Sequence, residues 1–299
     1  MSNLKPILGT MRPPFLVMPP VCVLLGISTA VWTHGEVNAI YAILAFVGAL
    51  ASHISVNAFN EYFDFRSGLD AKTQKTPFSG GSGSLQARPE MARSAFLTAA
   101  IALAITALIG LYFLSIRGWG LLPVGLLGIV IVYTYTTWIL RNPWLSLIAP
   151  GLGFGTLWVM GTNFVLTGEY TWTAFMASLV PFFLVNDLLL LNQFPDVEAD
   201  REVGRRHFPI VIGRKASSYI YVAFLALTYL SIVLGVVLDF LPAFSLLGLV
   251  TLPIAVRASL GAIRNAEDPP RLVPSMGLNV LINIFTPLLM AIGIFIARS

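Results

Sequence analysis

Long apolar stretches alternate with short polar segments along the whole chain. About nine of these stretches contain roughly 20 residues, mostly aliphatic and aromatic, and a helix of that length crosses the hydrocarbon core of a bilayer. The pattern therefore predicts nine transmembrane helices. We expect them at 13–32, 37–59, 94–114, 119–140, 145–167, 173–193, 218–237, 241–258 and 277–297.

The composition agrees with a membrane protein. Of the 299 residues, 57% are hydrophobic and only 11% are charged, whereas about a quarter of the residues in soluble domains are charged. The first span follows Lys5 and Arg12, but it contains several prolines and lacks a small-residue cleavage site, so we expect a transmembrane helix and not a signal peptide. Cys22 is the only cysteine, so the chain forms no intrachain disulfide.

The distribution of lysine and arginine predicts the orientation. With a cytoplasmic N-terminus and nine spans, 16 of the 18 basic residues fall in cytoplasmic segments, and only Arg117 and Arg298 fall outside. This asymmetry fits the positive-inside rule and predicts a multi-pass protein of the cell (plasma) membrane. The net charge of +4 requires no nucleic-acid partner, because these cations face the anionic lipid of the bilayer.

Carboxylates gather in two polar stretches, at 60–70 after the second span and at 192–200 after the sixth. Within them, residues four apart lie on one helix face. Carboxylates at a helix C-terminus are disfavoured by the dipole and repel each other, so we expect a cation to compensate them. The pairs are Asn60 with Asp64, Asn192 with Asp196, and Asp196 with Asp200.

Oxygen ligands of this kind suit Mg²⁺, which binds one or two protein carboxylates and completes its shell with water and phosphate. Two such clusters on one membrane face predict two Mg²⁺ ions that hold one diphosphate. Nearby cations would contact its oxygens; they are Lys72, Lys75, Arg201, Arg205 and Arg206. The alternative is a solvated charged loop, but the repeated Asn-x-x-x-Asp spacing favours a metal site.

Two other features leave alternatives open. The segment Ser79–Ser84, with the sequence Ser-Gly-Gly-Ser-Gly-Ser, is either a plain flexible loop or a nest of backbone N–H groups for an anion. Asp187 lies inside the sixth predicted span, where an ionisable group indicates either a functional site or a hydrogen-bonded contact between helices.

At these residues the chain resembles the UbiA superfamily of intramembrane prenyltransferases. Its members have nine transmembrane helices, with aspartate-rich motifs on the cytoplasmic loops after helices two and six. Here the first motif reads N-E-Y-F-D-F-R-S-G-L-D (60–70) and the second reads N-Q-F-P-D-V-E-A-D-R-E-V-G-R-R (192–206). Glu61 stands where the common motif has Asp. The spacing to Asp70 is similar to that of the naphthoate-type branch.

The resemblance implies an all-α polytopic membrane fold. Nine transmembrane helices would surround a central cavity, and the loops between helices 2 and 3 and between helices 6 and 7 would form a cytoplasmic cap. The whole chain, 1–299, would be a single domain.

The resemblance also implies a reaction, the Mg²⁺-dependent transfer of a polyprenyl group from polyprenyl diphosphate to an acceptor in the membrane. The expected acceptor is an aromatic such as 1,4-dihydroxy-2-naphthoate, in menaquinone biosynthesis. Other acceptors remain open, namely 4-hydroxybenzoate, geranylgeranylglyceryl phosphate, chlorophyllide and haem. A small-molecule transporter and a phospholipid alcohol phosphotransferase are alternatives from other classes, although transporters place their polar site near the midplane of the membrane.

Roles for individual residues follow from the same resemblance. Arg12, followed by proline, is similar to the helix-one arginine near the diphosphate; Tyr133-Thr resembles the helix-four tyrosine motif; and Arg141 stands where many relatives have Lys. Asp70 is either a metal ligand or a proton acceptor. The catalytic set is Asp64, Asp70, Asp196 and Asp200; the metal ligands are Asn60, Asp64, Asn192, Asp196 and Asp200; the diphosphate contacts are Arg12, Lys72, Lys75, Arg201, Arg205 and Tyr133; and the acceptor contacts are Asn57, Asp187 and Arg141.

Overall fold

The computed structural model describes residues 4–73 and 76–298, and this part of the chain contains helices and connecting segments but no β-strand. Eight helical segments are long and apolar enough to cross a membrane, and Trp119–Thr134 is a shorter apolar helix. The all-α membrane fold is therefore confirmed. The eight segments are Pro13–His34, Ala39–Ser67, Pro89–Arg117, Pro143–Thr167, Trp172–Asn192, Arg214–Val237, Ala243–Arg264 and Pro269–Ile296.

The α-helices are numbered here in chain order. They are α1 (Leu4–Thr10), α2 (Met18–His34), α3 (Ala39–Ser67), α4 (Ser84–Ala87), α5 (Ala92–Arg117), α6 (Leu122–Thr134), α7 (Pro143–Gly151), α8 (Trp158–Thr167), α9 (Trp172–Asn192), α10 (Val197–Glu202), α11 (Phe208–Val211), α12 (Arg214–Val237), α13 (Leu252–Arg264) and α14 (Pro269–Ile296). A π-helical segment, Leu152–Leu157, joins α7 to α8, and a 3₁₀ helix, Ala243–Thr251, precedes α13.

The second membrane helix is longer than the apolar pattern predicts. The side chain of Asn38 caps α3 by accepting hydrogen bonds from the backbone of Ile40 and Tyr41, and Gly68 ends it in the left-handed conformation at φ 74°, as helix ends commonly do. The helix continues eight residues beyond the expected end at 59. Asn60 and Asp64 consequently lie on one continuous helix.

The fifth span is irregular where it packs against α9. Gly151 and Gly155 allow this contact, since a β-carbon on Gly155 would lie 2.3 Å from the backbone nitrogen of Phe182. The side-chain oxygen of Asn186 accepts a hydrogen bond from the Gly151 nitrogen at 2.6 Å. The close approach of small residues is a common way to pack membrane helices, and here it fixes α9, whose last residue is Asn192.

The buried core and a cavity occupy different parts of the bundle. Buried side chains of α2, α9, α12, α13 and α14 form the largest packed cluster. A cavity of about 450 Å³ lies among α2, α3, α5, α6, α8 and α9. Phe78, immediately before the glycine-rich segment, lines this cavity and lies beside Gly277 of α14, so this part of the chain between α3 and α5 reaches the cavity.

Candidate active site

The main cavity is apolar over most of its depth and polar at its mouth. Its deep walls come from apolar residues of α3, α5, α6 and α8, which exclude water and suit a hydrocarbon chain. The polar side chains at the mouth include Arg12, Asn57, Asn60, Tyr135 and Asn192. Asn60 and Asn192 begin the two acidic stretches, so the cavity opens where both stretches meet.

Arg205 joins the two acidic stretches. Its guanidinium contacts an oxygen of Asp64 and donates from Nη1 to Asp200 Oδ1 at 2.8 Å. The second oxygen of Asp200 lies 2.9 Å from Nε2 of His207, a ring that is 1% exposed. The structure thus brings the first and second acidic stretches together as the sequence predicts, with an arginine between them.

Burial and neighbouring charges set the protonation of the carboxyls in the loops. Burial, and then the charge of Asp200, raises the pKa of Asp196 to about 7. Burial, and then nearby carboxylates, raises the pKa of Asp70 to about 6. Burial acts in the same direction on Asp200, but the hydrogen bond with His207 and the guanidinium of Arg205 outweigh it and hold the pKa of Asp200 below its usual range. A cation beside Asp70 and Asp196 would favour their charged forms.

Several oxygens of the two acidic stretches are buried without a hydrogen-bond donor. They are Asp70 Oδ2, Asn192 Oδ1 and Asp196 Oδ1. Free carboxylate and amide oxygens are the donors that a hard divalent cation such as Mg²⁺ uses, so the residues present fit such an ion. The described residues contain no group of three or more His, Cys, Asp or Glu side chains arranged to hold a metal. A metal here would therefore take asparagine oxygens, water or phosphate as additional ligands.

Most of the predicted diphosphate-binding cations are paired with carboxylates. Lys72 Nζ lies 2.6 Å from Glu202, and Arg201 Nη1 lies 2.9 Å from Glu198. All four side chains are more than half exposed, so these ion pairs contribute little and exchange easily with another anion. Lys75 lies outside the described residues.

Glu61 connects three parts of the site. It is fully buried and binds Arg12 Nε at 2.7 Å. It also accepts hydrogen bonds from the backbone nitrogen of Ser82 at 2.8 Å and the Ser82 hydroxyl at 2.7 Å. Glu61 therefore ties the N-terminal segment and the glycine-rich segment to α3.

The backbone of the glycine-rich segment comes close to the first acidic stretch. Gly81 has φ +71°, and a β-carbon on it would lie 2.8 Å from Asp70 Oδ1. A side chain at this position would be strained and would collide with the carboxylate. The glycine thus allows Asp70 to sit under the segment.

Arg12 and Asn57 position the N-terminal segment at the cavity mouth. Arg12 has a positive φ of 51°, which is uncommon for a residue other than glycine. Asn57, predicted to contact an acceptor, donates a hydrogen bond to the Met11 carbonyl at 3.0 Å, and its contact with Met11 holds the backbone beside Arg12. Both side chains line the cavity.

Three predicted residues lie apart from the main cavity. Tyr133 is 51% exposed, and its ring packs at 5.7 Å against Phe59, whereas Tyr135, two residues later, lines the cavity. Arg141 lies on the rim of a second, smaller cavity. Asp187 is fully buried, and both of its oxygens lack hydrogen-bond partners, but it does not line either cavity. The structure therefore favours Tyr135 over Tyr133 for the expected helix-four contact.

His53 is a cavity residue that the sequence analysis missed. It is 6% exposed, lines the cavity, and its Nδ1 has no hydrogen-bond partner. Its ring packs at 4.7 Å against Phe154 and at 5.7 Å against Trp158. Its spacing in the sequence could have identified it, because His53 precedes Asn60 by two helical turns and therefore lies on the same helix face.

Known proteins resemble this chain over nearly its whole length. The model of the UbiA prenyltransferase family matches residues 18–281. The 1,4-dihydroxy-2-naphthoate octaprenyltransferase of Bacillus subtilis strain 168 is 29% identical over 290 residues, which cover 96% of this chain and 91% of that protein.

Solved structures show the same fold. The apo structure of a UbiA homologue from Aeropyrum pernix K1 matches with a TM-score of 0.72 and 18% identity, covering 95% of this chain and 98% of that one. A UbiA homologue from Archaeoglobus fulgidus bound to GPP and Mg²⁺ matches with a TM-score of 0.63 and 14% identity, covering 97% of this chain and 99% of that one.

Proposed function

Since the chain belongs to the UbiA prenyltransferase family, we propose that it transfers a polyprenyl group from polyprenyl diphosphate to 1,4-dihydroxy-2-naphthoate, in menaquinone biosynthesis. The acceptor is taken from the Bacillus subtilis relative, which is named for this substrate. In this proposal the whole chain, 1–299, acts as one domain. It lies in the plasma membrane with its N-terminus and acidic stretches on the cytoplasmic side, as the distribution of basic residues favours.

The observation that carries the proposal is the combination of an apolar cavity with a polar mouth. The cavity of about 450 Å³ lies within the membrane-spanning part of the bundle, and its mouth is lined by Arg12, Asn60 and Asn192. A polyprenyl chain would lie against the apolar walls, while its diphosphate would lie at the mouth. A donor with one very long apolar part and one highly charged part matches this division.

Divalent metal is part of the proposal, with one ion for each acidic stretch. Asn60, Asp64 and Asp70 would hold the first ion, and Asn192, Asp196 and Asp200 the second. When bound, Mg²⁺ neutralises charge on the leaving diphosphate. The unpartnered oxygens of Asp70, Asn192 and Asp196 support this assignment, as does the Mg²⁺ bound to the Archaeoglobus fulgidus homologue.

The chain's own cations and walls have separate roles. Arg12 and Tyr135, both at the mouth, donate hydrogen bonds to the diphosphate, where charge develops as the bond to the prenyl carbon breaks. Arg205 orients Asp64 and Asp200 through its two contacts. The apolar walls keep water away from the allylic cation, so that it reacts with the acceptor and not with water.

His53 provides a place for the aromatic acceptor. Its free Nδ1 would bind a hydroxyl or carboxylate of the naphthoate, and the rings of Phe154 and Trp158 would pack against the acceptor as they pack against the imidazole. Aromatic pairs in such edge-to-face arrangements are favourable. This position is two to three helical turns deeper in α3 than Asn60 and Asp64, which are proposed to hold the metal.

The proposal is tested with purified protein in lipid nanodiscs. A labelled polyprenyl diphosphate is supplied with Mg²⁺ and, in separate reactions, with 1,4-dihydroxy-2-naphthoate, 4-hydroxybenzoate or geranylgeranylglyceryl phosphate. We expect a prenylated product with the naphthoate. Product formation only with another acceptor would contradict the acceptor assignment. Absence of diphosphate release and of product with all three acceptors would contradict the proposed reaction.

A further inference from the structure

A second cavity, of about 350 Å³, adjoins the site described above and shares Asp64 and Arg205 with it. It is formed by the end of α3, the segment after α6, and the segment between α10 and α11, on the same side of the molecule as the acidic stretches. Its lining is mostly polar. The polar side chains other than Asp64 and Tyr62 are Arg66, Ser67, Thr136, Thr137, Arg141 and Arg205.

The cavity carries positive charge that no carboxylate balances. Its carboxylate, Asp64, is already in contact with Arg205. Arg66 lies over the ring of Tyr62, with its guanidinium carbon 6.0 Å from the ring centre. Among residues 4–73 and 76–298, neither Arg66 nor Arg141 forms an ion pair.

These two arginines differ from three of the cations predicted to bind diphosphate. Arg12, Lys72 and Arg201 each contact a glutamate. An anion that binds beside Arg66 and Arg141 therefore displaces no carboxylate from them. In electrostatic terms, the second cavity is ready to accept an anion.

The two cavities meet at the first acidic stretch. Asn60 lines the main cavity, and its amide donates a hydrogen bond at 3.2 Å to the hydroxyl of Thr136, which lines the second cavity. Asp64, one turn further along α3, also lines the second cavity. Residues of α3 in direct hydrogen-bond contact or one turn apart therefore line the two cavities.

A backbone contact holds the cavity rim together. The nitrogen of Arg206 donates to the carbonyl of Leu140 at 2.9 Å. This bond fixes the segment that carries Arg205 against the segment that carries Arg141. Arg205 and Arg141 are thus carried by two segments that are hydrogen-bonded to each other and not by independent loops.

We propose that the second cavity binds a phosphate group, and that its occupant during turnover is the diphosphate leaving the main cavity. Guanidinium groups match phosphate oxygens in charge and in bidentate geometry, and the hydroxyls of Thr136 and Thr137 add neutral donors. The choice of diphosphate rests on the proposed function. An anionic lipid headgroup offers the same phosphate chemistry at a membrane surface.

The test measures binding without metal or prenyl donor. Inorganic diphosphate is titrated by calorimetry into the full-length protein in neutral-lipid nanodiscs that contain EDTA. We expect one saturable site, at least tenfold weaker in the double variant Arg66→Gln, Arg141→Gln. The control Arg264→Gln removes an exposed arginine that lines neither cavity and should leave the affinity unchanged.

A second arm distinguishes the two sources of phosphate. The titration is repeated in nanodiscs that contain phosphatidylglycerol. Weaker diphosphate binding there identifies a lipid headgroup as an occupant of the same site, whereas equal affinity identifies free diphosphate as the occupant. Both results support a phosphate-binding cavity.

Two results would overturn the proposal. One is the absence of saturable metal-free binding in neutral lipid, and the other is equal affinity in the wild type and the double variant. If the double variant does not fold, the single variant Arg66→Gln, which changes an exposed residue, replaces it. We expect this variant to bind diphosphate several-fold more weakly than the wild type. Because this assay involves no catalysis, failure of the proposed prenyl transfer would appear separately, as absence of prenylated product.

Discussion

Glu61 departs from the common family motif, and its contacts explain this departure. The common family motif has aspartate here, but the longer glutamate reaches both Arg12 and Ser82. Its carboxylate is fully buried, so its partners determine its energetic effect. We infer that Glu61 serves as an anchor for the cavity mouth and not as a metal ligand.

The change Glu61→Ala should destabilise the protein by about 3 kcal/mol, because it leaves a partly buried arginine without its partner. It should also lower the activity, since the N-terminal and glycine-rich segments lose their common attachment. Unfolding in mixed detergent micelles measures the first effect. The control is Glu169→Ala, which removes an exposed carboxylate paired with His34 and should change the unfolding midpoint little. Equal stability of Glu61→Ala and wild type would refute the anchoring role.

His53→Ala should raise the KM for the aromatic acceptor about tenfold and leave the KM for the prenyl diphosphate nearly unchanged. The physical reason is the loss of one hydrogen-bonding nitrogen beside Phe154 and Trp158, at a distance from the polar mouth. Steady-state kinetics with each substrate varied in turn measure the split. A change confined to the KM for the prenyl diphosphate would show that His53 contacts the donor and not the acceptor, and would contradict the prediction.

At the residue scale, the sequence was informative where chemistry followed from spacing. The pairs Asn60 with Asp64 and Asn192 with Asp196 could be recognised because residues four apart share a helix face. The bridge from Arg205 to Asp64 joins residues 141 positions apart, and no local pattern predicts such a contact. Tyr133 and Tyr135 could not be separated, because the choice depends on how α6 ends at Thr134.

At the element scale, the apolar pattern located the helices but not their ends. Hydropathy falls at residue 59, whereas α3 continues to Ser67, because Glu61 and Asp64 in its last turns are buried and Gly68 ends the helix only after them. The fourth predicted span, 119–140, ends earlier, at Thr134. The π-helical segment Leu152–Leu157 was also unpredictable, since it depends on the tertiary contact with α9.

The contact between the π-helical segment and α9 yields a prediction about glycine. Gly155→Ala should destabilise the protein by about 2 kcal/mol, because the added carbon meets the Phe182 backbone at 2.3 Å and overpacking costs this much. Gly125→Ala is the matched control, since nothing lies within 4 Å of its β-carbon position and alanine favours a helix. Thermal unfolding in nanodiscs compares the two. An equal effect of both changes would contradict the close packing.

At the scale of the whole molecule, polar groups collect at two opposite ends of the bundle. At one end the guanidinium of Arg298 contacts the carbonyl of Val31, and Arg117 donates to the carbonyl of Val165 at 2.8 Å. At the other end lie Arg12 and the acidic stretches. The N-terminal end of the first membrane helix and the C-terminal end of the last thus lie at opposite ends of the bundle, as the predicted odd number of spans requires.

The predicted orientation is tested by cysteine labelling in intact cells. Cys22 is buried and should not react with a membrane-impermeant maleimide. Glu169→Cys should react in intact cells, because its loop is predicted to lie outside, and Glu267→Cys should react only after permeabilisation. Reversed labelling of these two exposed positions would show the opposite orientation.

The central claim is that the two acidic stretches act together as a divalent-metal site for diphosphate departure. Its most direct test is Mg²⁺-dependent release of diphosphate from a labelled polyprenyl diphosphate in the presence of the naphthoate, using wild type, Asp64→Asn and Asp196→Asn. Glu267→Gln, an exposed carboxylate on the same side, is the matched control.

We expect at least a hundredfold loss of release in each aspartate variant and in EDTA-treated wild type, with Glu267→Gln unchanged and all proteins folded in the membrane. Full turnover in both aspartate variants, or turnover that persists without metal, would contradict the account.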